Sequence, residues 1–228
     1  MKTSISILLF TFSILVLGQT PAYENWKNIS KGNINLQPEY GNIVKTEEQL
    51  SADQGFITDI LKYYKTKEEA SEEMVKLGMN YLYNNADFET AMKRFNQAYL
   101  LNSNNPNIYY GYGSIFYNLG AFDEARIYYE KGLKINPEHS GILTDYATIF
   151  LAAYYETGNN ADLIQAKEYL EKSLKADNKN SDTIYKLSIV SMYLGECKNA
   201  KNYLKSAKKL KNPNVTAAFE QELSAKCD

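Results

Sequence analysis

Residues 106–139 read PNIYYGYGSIFYNLGAFDEARIYYEKGLKINPEH. This stretch carries Tyr109, Tyr112-Gly113, Phe116, Gly120, Phe122, Ala125, Tyr129, Gly132 and Pro137. Aligned on its Ala and aromatic positions, the chain contains three further copies. Residues 71–105 hold Met74, Leu77-Gly78, Tyr81, Phe88, Ala91, Phe95 and Ala98, with one extra residue in the Asn84–Asp87 turn. Residues 181–214 hold Ile184, Leu187-Ser188, Gly195, Cys197, Ala200, Leu204 and Ala207. Residues 140–180 are irregular: Ala147 and Ala166 lie 19 apart, where Gly113 and Ala125 lie 12 apart. Seven residues are thus inserted around Tyr154 to Asp162, with a turn at Gly158-Asn159-Asn160.

These spacings resemble the tetratricopeptide repeat, a 34-residue helix-turn-helix unit. One departure is Gly132, where the family has Ala, with a lower helix propensity. The resemblance implies an all-α fold, a right-handed α-solenoid of four helix-turn-helix units. Small residues at Gly78, Gly113, Ala147 and Ser188 let the first helix of a unit approach the second. Ala91, Ala125, Ala166 and Ala200 do the same from the second helix. One helical pair cannot bury both faces, so stacked units are needed.

The flanks are expected to cap the stack. Thr46-Glu47-Glu48-Gln49 is a capping box that opens an N-terminal capping helix over 46–64, with Leu50, Phe56, Ile57, Ile60 and Leu61 at helical spacing. Residues 65–212 are the repeat domain. Residues 213–227 form a C-terminal capping helix, with Val215, Ala218, Phe219 and Leu223 inward. Residues 19–45 show no period and read as a linker or an extended arm. Residues 1–18, MKTSISILLFTFSILVLG, read as a signal peptide: Lys2 is the basic start, Ile5–Leu17 the apolar run, and Val16 and Gly18 the small residues before a cut. Thirteen apolar residues fall short of the ~20 that span a bilayer. The expected product is exported to the periplasm or cell envelope and does not span the membrane after cleavage.

Composition excludes several function classes. The 228 residues carry a net charge of −2, one His, two Cys and 20 Tyr. Nucleic-acid binding wants a basic excess, so no nucleic acid is expected. One His and two Cys cannot build a His- or Cys-rich metal cage. No phosphate loop, dinucleotide turn or zinc helix is present, so no cofactor and no catalytic residue is assigned. His139 reads as a surface loop residue. Lys198, Lys201, Lys205, Lys208 and Lys209 read as a solvated outer face or a dock for an anionic partner.

In the family that the repeats resemble, the first helix of each unit builds a concave wall. Carried onto this chain, the wall is Val75, Met79, Leu82 and Tyr83, then Tyr110, Ser114, Tyr117 and Asn118. It continues with Thr144, Thr148, Leu151 and Ala152, then Tyr185, Ile189, Met192 and Tyr193. That wall is aromatic, apolar and uncharged. Val75, Met79 and Ser114 stand where a carboxylate clamp would need charged or amide groups, so a clamp is rejected. The expected partner is a protein or peptide held by adaptable Tyr and Met surface, in a non-enzymatic interaction module. The alternatives are a glycan stacked on the groove tyrosines, or residues that pack only against neighbouring helices. Cys197 starts the last second helix and Cys227 ends the capping helix that runs antiparallel to it. They are placed to close a disulfide loop; the alternative is a buried small residue and a free terminal thiol.

Overall fold

The computed structural model describes residues 20–228, so the apolar N-terminal run lies outside the described residues. The described chain holds eleven α-helices and no strand. In order they are α1 (Pro21–Ser30), α2 (Glu47–Ile60), α3 (Lys67–Asn85), α4 (Phe88–Leu101), α5 (Pro106–Asn118) and α6 (Phe122–Ile135). There follow α7 (Ser140–Thr157), α8 (Asn160–Ala176), α9 (Ser181–Tyr193), α10 (Cys197–Lys209) and α11 (Ala217–Cys227). Helices α3 to α10 form four antiparallel pairs stacked in chain order, an α-solenoid of tetratricopeptide type. No helix among the described residues is long and apolar enough to cross a membrane.

Small residues set the spacing within a pair. A Cβ on Gly113 would lie 2.3 Å from the Tyr129 ring, and one on Gly78 would lie 2.5 Å from the Phe95 ring. Gly132 stands in an Ala position because Ile142 of the next pair fills that space: an added Cβ would meet Ile142 Cδ1 at 2.4 Å. Aromatic triads repeat with the units. Tyr112 meets Tyr128 edge-on at 5.4 Å while Phe116 stacks on Tyr128 at 5.4 Å. One unit later, Tyr146 meets Tyr169 edge-on at 4.6 Å while Phe150 stacks on Tyr169 at 5.7 Å. Between pairs, amides at the helix starts act as clasps. Asn105 Nδ2 donates to Ser71 Oγ at 3.1 Å, Asn180 Nδ2 to Ser140 Oγ at 2.9 Å, and Asn212 Nδ2 to Ser181 Oγ at 3.2 Å.

The seven-residue insertion adds length to both helices of the third pair. Helix α7 has 18 residues and α8 has 17, against 13 and 14 for α5 and α6. Gly158, at φ 70°, ends α7 in the left-handed region that a residue with a Cβ disfavours.

Of residues 19–45, expected as a linker or extended arm, the described residues 20–45 fold instead onto the first two pairs. Thr20 caps α1 and its hydroxyl donates to the Leu119 carbonyl. The Tyr23 hydroxyl donates to Glu124 Oε1 at 2.6 Å, and its ring meets Phe116 edge-on at 6.1 Å. Trp26 and Leu36 are buried. These contacts leave no period in the sequence, because side chains scattered over a helix and two tight turns make them. At Glu39–Asn42 the backbone turns left-handed, with φ between 53° and 68°. Lys45, paired with Asp53 of α2, lies 3.4 Å from the centre of the Tyr40 ring.

Helix α2 carries the Thr46–Gln49 capping box, yet none of its residues is fully buried. Phe56, Ile57 and Ile60 rest against the core, while Leu50 is exposed. At the other end, α11 runs antiparallel to α10 and covers α9 as well. Phe219 meets Tyr185 edge-on at 5.2 Å, and Leu223 joins Met192 and Leu204 in a local core. Two residues of the lysine row face this helix: Lys208 pairs with Glu220 at 2.8 Å and Lys201 with Asp228 at 2.5 Å. Cys197 and Cys227 are joined by a disulfide, with 5.3 Å between their Cα atoms.

Candidate functional site

The first helices of pairs two to four, α5, α7 and α9, line one side of the stack. Between them and the α10–α11 connection lies an open hollow of about 500 Å³. Tyr117 comes from α5, and Thr148, Leu151, Ala152 and Tyr155 from α7. Helix α9 gives Asp182, Tyr185, Lys186 and Ile189, which share one face at three- and four-residue steps. Pro213, Asn214 and Thr216 form the rim. The longer α7 is what brings Tyr155 here. Its ring packs edge-on against Tyr193 at 5.7 Å, beside Tyr154 at 5.9 Å. A second hollow of about 300 Å³ continues along Tyr155, Tyr185, Ile189 and Tyr193 to Phe219 and Glu222 of α11.

The expected wall residues divide. Tyr117, Thr148, Leu151, Ala152, Tyr185, Ile189 and Tyr193 line one or both hollows. Tyr83 and Asn118 are exposed, and Met79 and Tyr110 are partly exposed. Val75, Leu82, Ser114 and Thr144 are buried between helices and leave the wall. Thr144 is held inside by a hydroxyl cluster: its Oγ1 lies 2.8 Å from Ser173 Oγ and 2.6 Å from Thr183 Oγ1. Met192 touches the second hollow but is 3% exposed, because α11 packs over it. His139 is no free loop residue. Its Nδ1 accepts from the Ile142 amide at 3.1 Å and so caps α7. Nε2 then carries the proton and meets Asn107 Oδ1 at 2.8 Å. Burial holds this ring below the usual histidine range.

The wall is also charged, which the expected positions did not include. Asp145 and Lys186 directly follow the wall positions Thr144 and Tyr185, and Asp182 lies three residues before Tyr185, on the same helix face. Asp182 and Lys186 form an ion pair on α9. Asp145 is partly exposed. Burial, with some help from Asp182, pushes its carboxyl up to about 6, against the pull of Lys186 and of the Tyr110 and Tyr129 hydroxyls turned toward it. Burial and the same carboxylate push the Tyr110 and Tyr117 phenols up, so both stay neutral donors. The result is an open trough of aromatic faces and aliphatic edges with a few fixed polar groups. Such a surface suits a polypeptide segment laid along it.

The tetratricopeptide repeat family matches residues 106–139. Anaphase-promoting complex subunit 3 of Schizosaccharomyces pombe is 24% identical over 110 residues, which is 48% of this chain and 16% of that protein. The chain therefore spans about one-sixth of the length of that curated relative. Among solved structures, TTC0263, a thermophilic repeat protein of this type from Thermus thermophilus, superposes with a TM-score of 0.53 at 21% identity, over 61% of this chain and 74% of that one. PilW, a widely conserved type IV pilus biogenesis factor, superposes with a TM-score of 0.39 at 19% identity, over 68% and 83%. The family match and the first superposition support a tetratricopeptide repeat protein in fold. The matching family is a repeat family and not a catalytic one.

Proposed function

We propose that the chain is a non-enzymatic scaffold that holds a polypeptide partner along the concave side, in the hollow between α5, α7 and α9. A tetratricopeptide solenoid is a protein–protein interaction scaffold, and the hollow supports a site for that role. The observation that carries the reading is the hollow itself. It is about 500 Å³, open to solvent, and walled by exposed Tyr155 and partly exposed Tyr117, Tyr185 and Ile189 on three separate helices. The hydroxyls of Ser140, Thr144, Ser173 and Thr183 tie α7 to α9 through α8. A preformed wall of this kind limits the ordering cost of binding.

The test is site-specific photo-cross-linking in intact cells. Benzoylphenylalanine replaces Tyr155 in one strain and the exposed Ile127 of α6 in another. A polypeptide product formed from position 155 and not from 127, identified by mass spectrometry, is expected. Equal products from both positions, or a glycan adduct alone at 155, would overturn the reading.

We also infer export to the cell envelope. The basic start, apolar run and small residues of 1–18 support it, as does a cysteine pair that suits an oxidising compartment. N-terminal sequencing of the purified protein should begin after Gly18. A cytosolic protein retaining Met1 would refute export.

A further inference from the structure

Asp145 stands apart from the other acids of the concave side. Asp182 has Lys186 as its ion-pair partner, whereas Asp145 has no cation within ion-pair distance among the described residues. It faces phenols instead. The Tyr110 and Tyr129 hydroxyls turn toward its carboxylate, and the Tyr83 and Tyr117 rings lie in the same neighbourhood. That Tyr129 hydroxyl makes no hydrogen bond of ordinary geometry within the chain, and neither does Ser114 Oγ next to Tyr129. Both residues are closed to solvent, at 0% and 1% exposure. Asp145 itself remains partly exposed, so the cluster opens to the groove.

Buried polar atoms nearly always find partners, and a cluster that lacks them is short of what it was shaped to meet. Here the missing group is a donor with positive charge. Asp145 and Asp182 outnumber Lys186, which leaves one negative charge in excess. Tyrosine faces attract cations, and more strongly where water is scarce. A guanidinium has five N–H donors in a planar fork, and an ammonium has three.

We propose that Asp145, with Tyr83, Tyr110 and Tyr129 around it, is a recognition point for a basic side chain, Arg or Lys, carried by the polypeptide that lies in the groove. The inference rests on the groove reading above and names the chemistry of its occupant. The partly exposed carboxylate takes the charge and accepts from the cation, while the exposed Tyr83 ring and the partly exposed Tyr110 ring flank the aliphatic stem. Asp145 gains the ion pair that it lacks within the chain.

The test uses the purified chain and two probes, N-acetylarginine N-methylamide and its neutral isostere N-acetylcitrulline N-methylamide. Carbon-13 NMR reads the Asp145 carboxyl and the tyrosine rings. The arginine probe is expected to shift Asp145, Tyr110 and Tyr129 saturably, and to bind about tenfold or more tightly than the citrulline probe. Asp145→Asn should bring the two probes to equal affinity. Equal response of the native chain to both probes, no response at Asp145, or an undiminished arginine preference in Asp145→Asn would overturn the inference. The comparison of probes on the native chain stands even if the variant folds poorly. Cross-linking at position 155 in the Asp145→Asn background separates the two claims. A product that survives unchanged leaves the groove reading and removes the basic-side-chain inference. An arginine-selective response with no cross-linked polypeptide does the reverse.

Discussion

The Tyr112 hydroxyl donates to Asn96 Oδ1 at 2.6 Å, and both residues are closed to solvent. The Asn96 amide donates in turn to the Asn35 carbonyl at 3.0 Å and the Gln37 carbonyl at 2.9 Å. The Tyr112 oxygen also accepts from the Glu39 amide at 3.2 Å. Two buried side chains thus satisfy three backbone groups of the N-terminal segment.

Tyr112→Phe leaves Asn96 Oδ1 and the Glu39 amide without partners in a dry site. It should cost about 1–3 kcal/mol. Urea denaturation of the variant checks the size. Loss of Trp26 burial at low urea, read by fluorescence, checks that the N-terminal segment detaches first. A variant as stable as the parent, with Trp26 still buried, would show that the network is replaceable.

The glycines make predictions of opposite sign. Gly113→Ala places a methyl 2.3 Å from the Tyr129 ring, so it should destabilise by about 1–3 kcal/mol despite better helix propensity. Gly55 of α2 has nothing within 4 Å of a built Cβ. Gly55→Ala should therefore stabilise α2 by about 0.5–1 kcal/mol. Thermal unfolding of both variants gives the comparison.

Much of this architecture was legible in the sequence, because a repeat states its register several times. The small-residue positions, the aromatic positions and the inserted third unit could be aligned on one another. Residues 19–45 could not, since their contacts are made by Thr20, Tyr23, Trp26 and Glu39 to distant partners and leave no period. The groove was half legible. Position within a unit located Tyr117, Tyr185 and Ile189, but whether a residue faces solvent depends on what packs above it. Helix α11 covers Met192, and Thr144 turns its hydroxyl into a buried cluster. Asp145 and Lys186 were not legible, because they stand next to, and not at, the positions that the repeat gives to the wall.

Acid should reveal Asp145 and His139 with opposite signs. The Asp145 carboxyl is raised to about 6 in the folded chain, from 3.8. The folded state therefore binds the extra proton, and this group's penalty is present above pH 6 and fades as pH falls toward 4. Asp145→Asn should stabilise the chain at pH 8 by about 1–3 kcal/mol and by little at pH 4. The His139 ring is held below its ordinary 6.5 and caps α7 in its neutral form. The unfolded chain takes up that proton first, so stability is lost as pH falls below 6.5. His139→Asn keeps a capping side chain and should remove that loss. Thermal midpoints of the three proteins from pH 4 to pH 8 separate the contributions.

Reduction should loosen the C-terminal end. The Cys197–Cys227 bridge closes a separation of 30 residues, worth about 3.6 kcal/mol in the chain-entropy model. Cys197→Ser, or dithiothreitol on the native chain, should expose Met192 and Phe219 and lower the thermal midpoint. Two free thiols titrated in the untreated denatured protein would remove the basis of the prediction.

The two fastenings of the solenoid sit at its ends. The N-terminal segment binds pairs one and two, and the disulfide binds α10 to α11. Helices α7 and α8 lie between them, where the apolar core passes from one cluster to the next. In a linear stack each pair answers mainly to its neighbours, so a change in curvature gathers where no outside tie resists it. The trough should therefore breathe where the third pair meets the second, between α6 and α7, because hydroxyls of Ser140, Thr144, Ser173 and Thr183 hold α7, α8 and α9 together. Amide exchange faster in α6 than in α4, and slowed in α6 when the trough is filled, would be the mark of that motion.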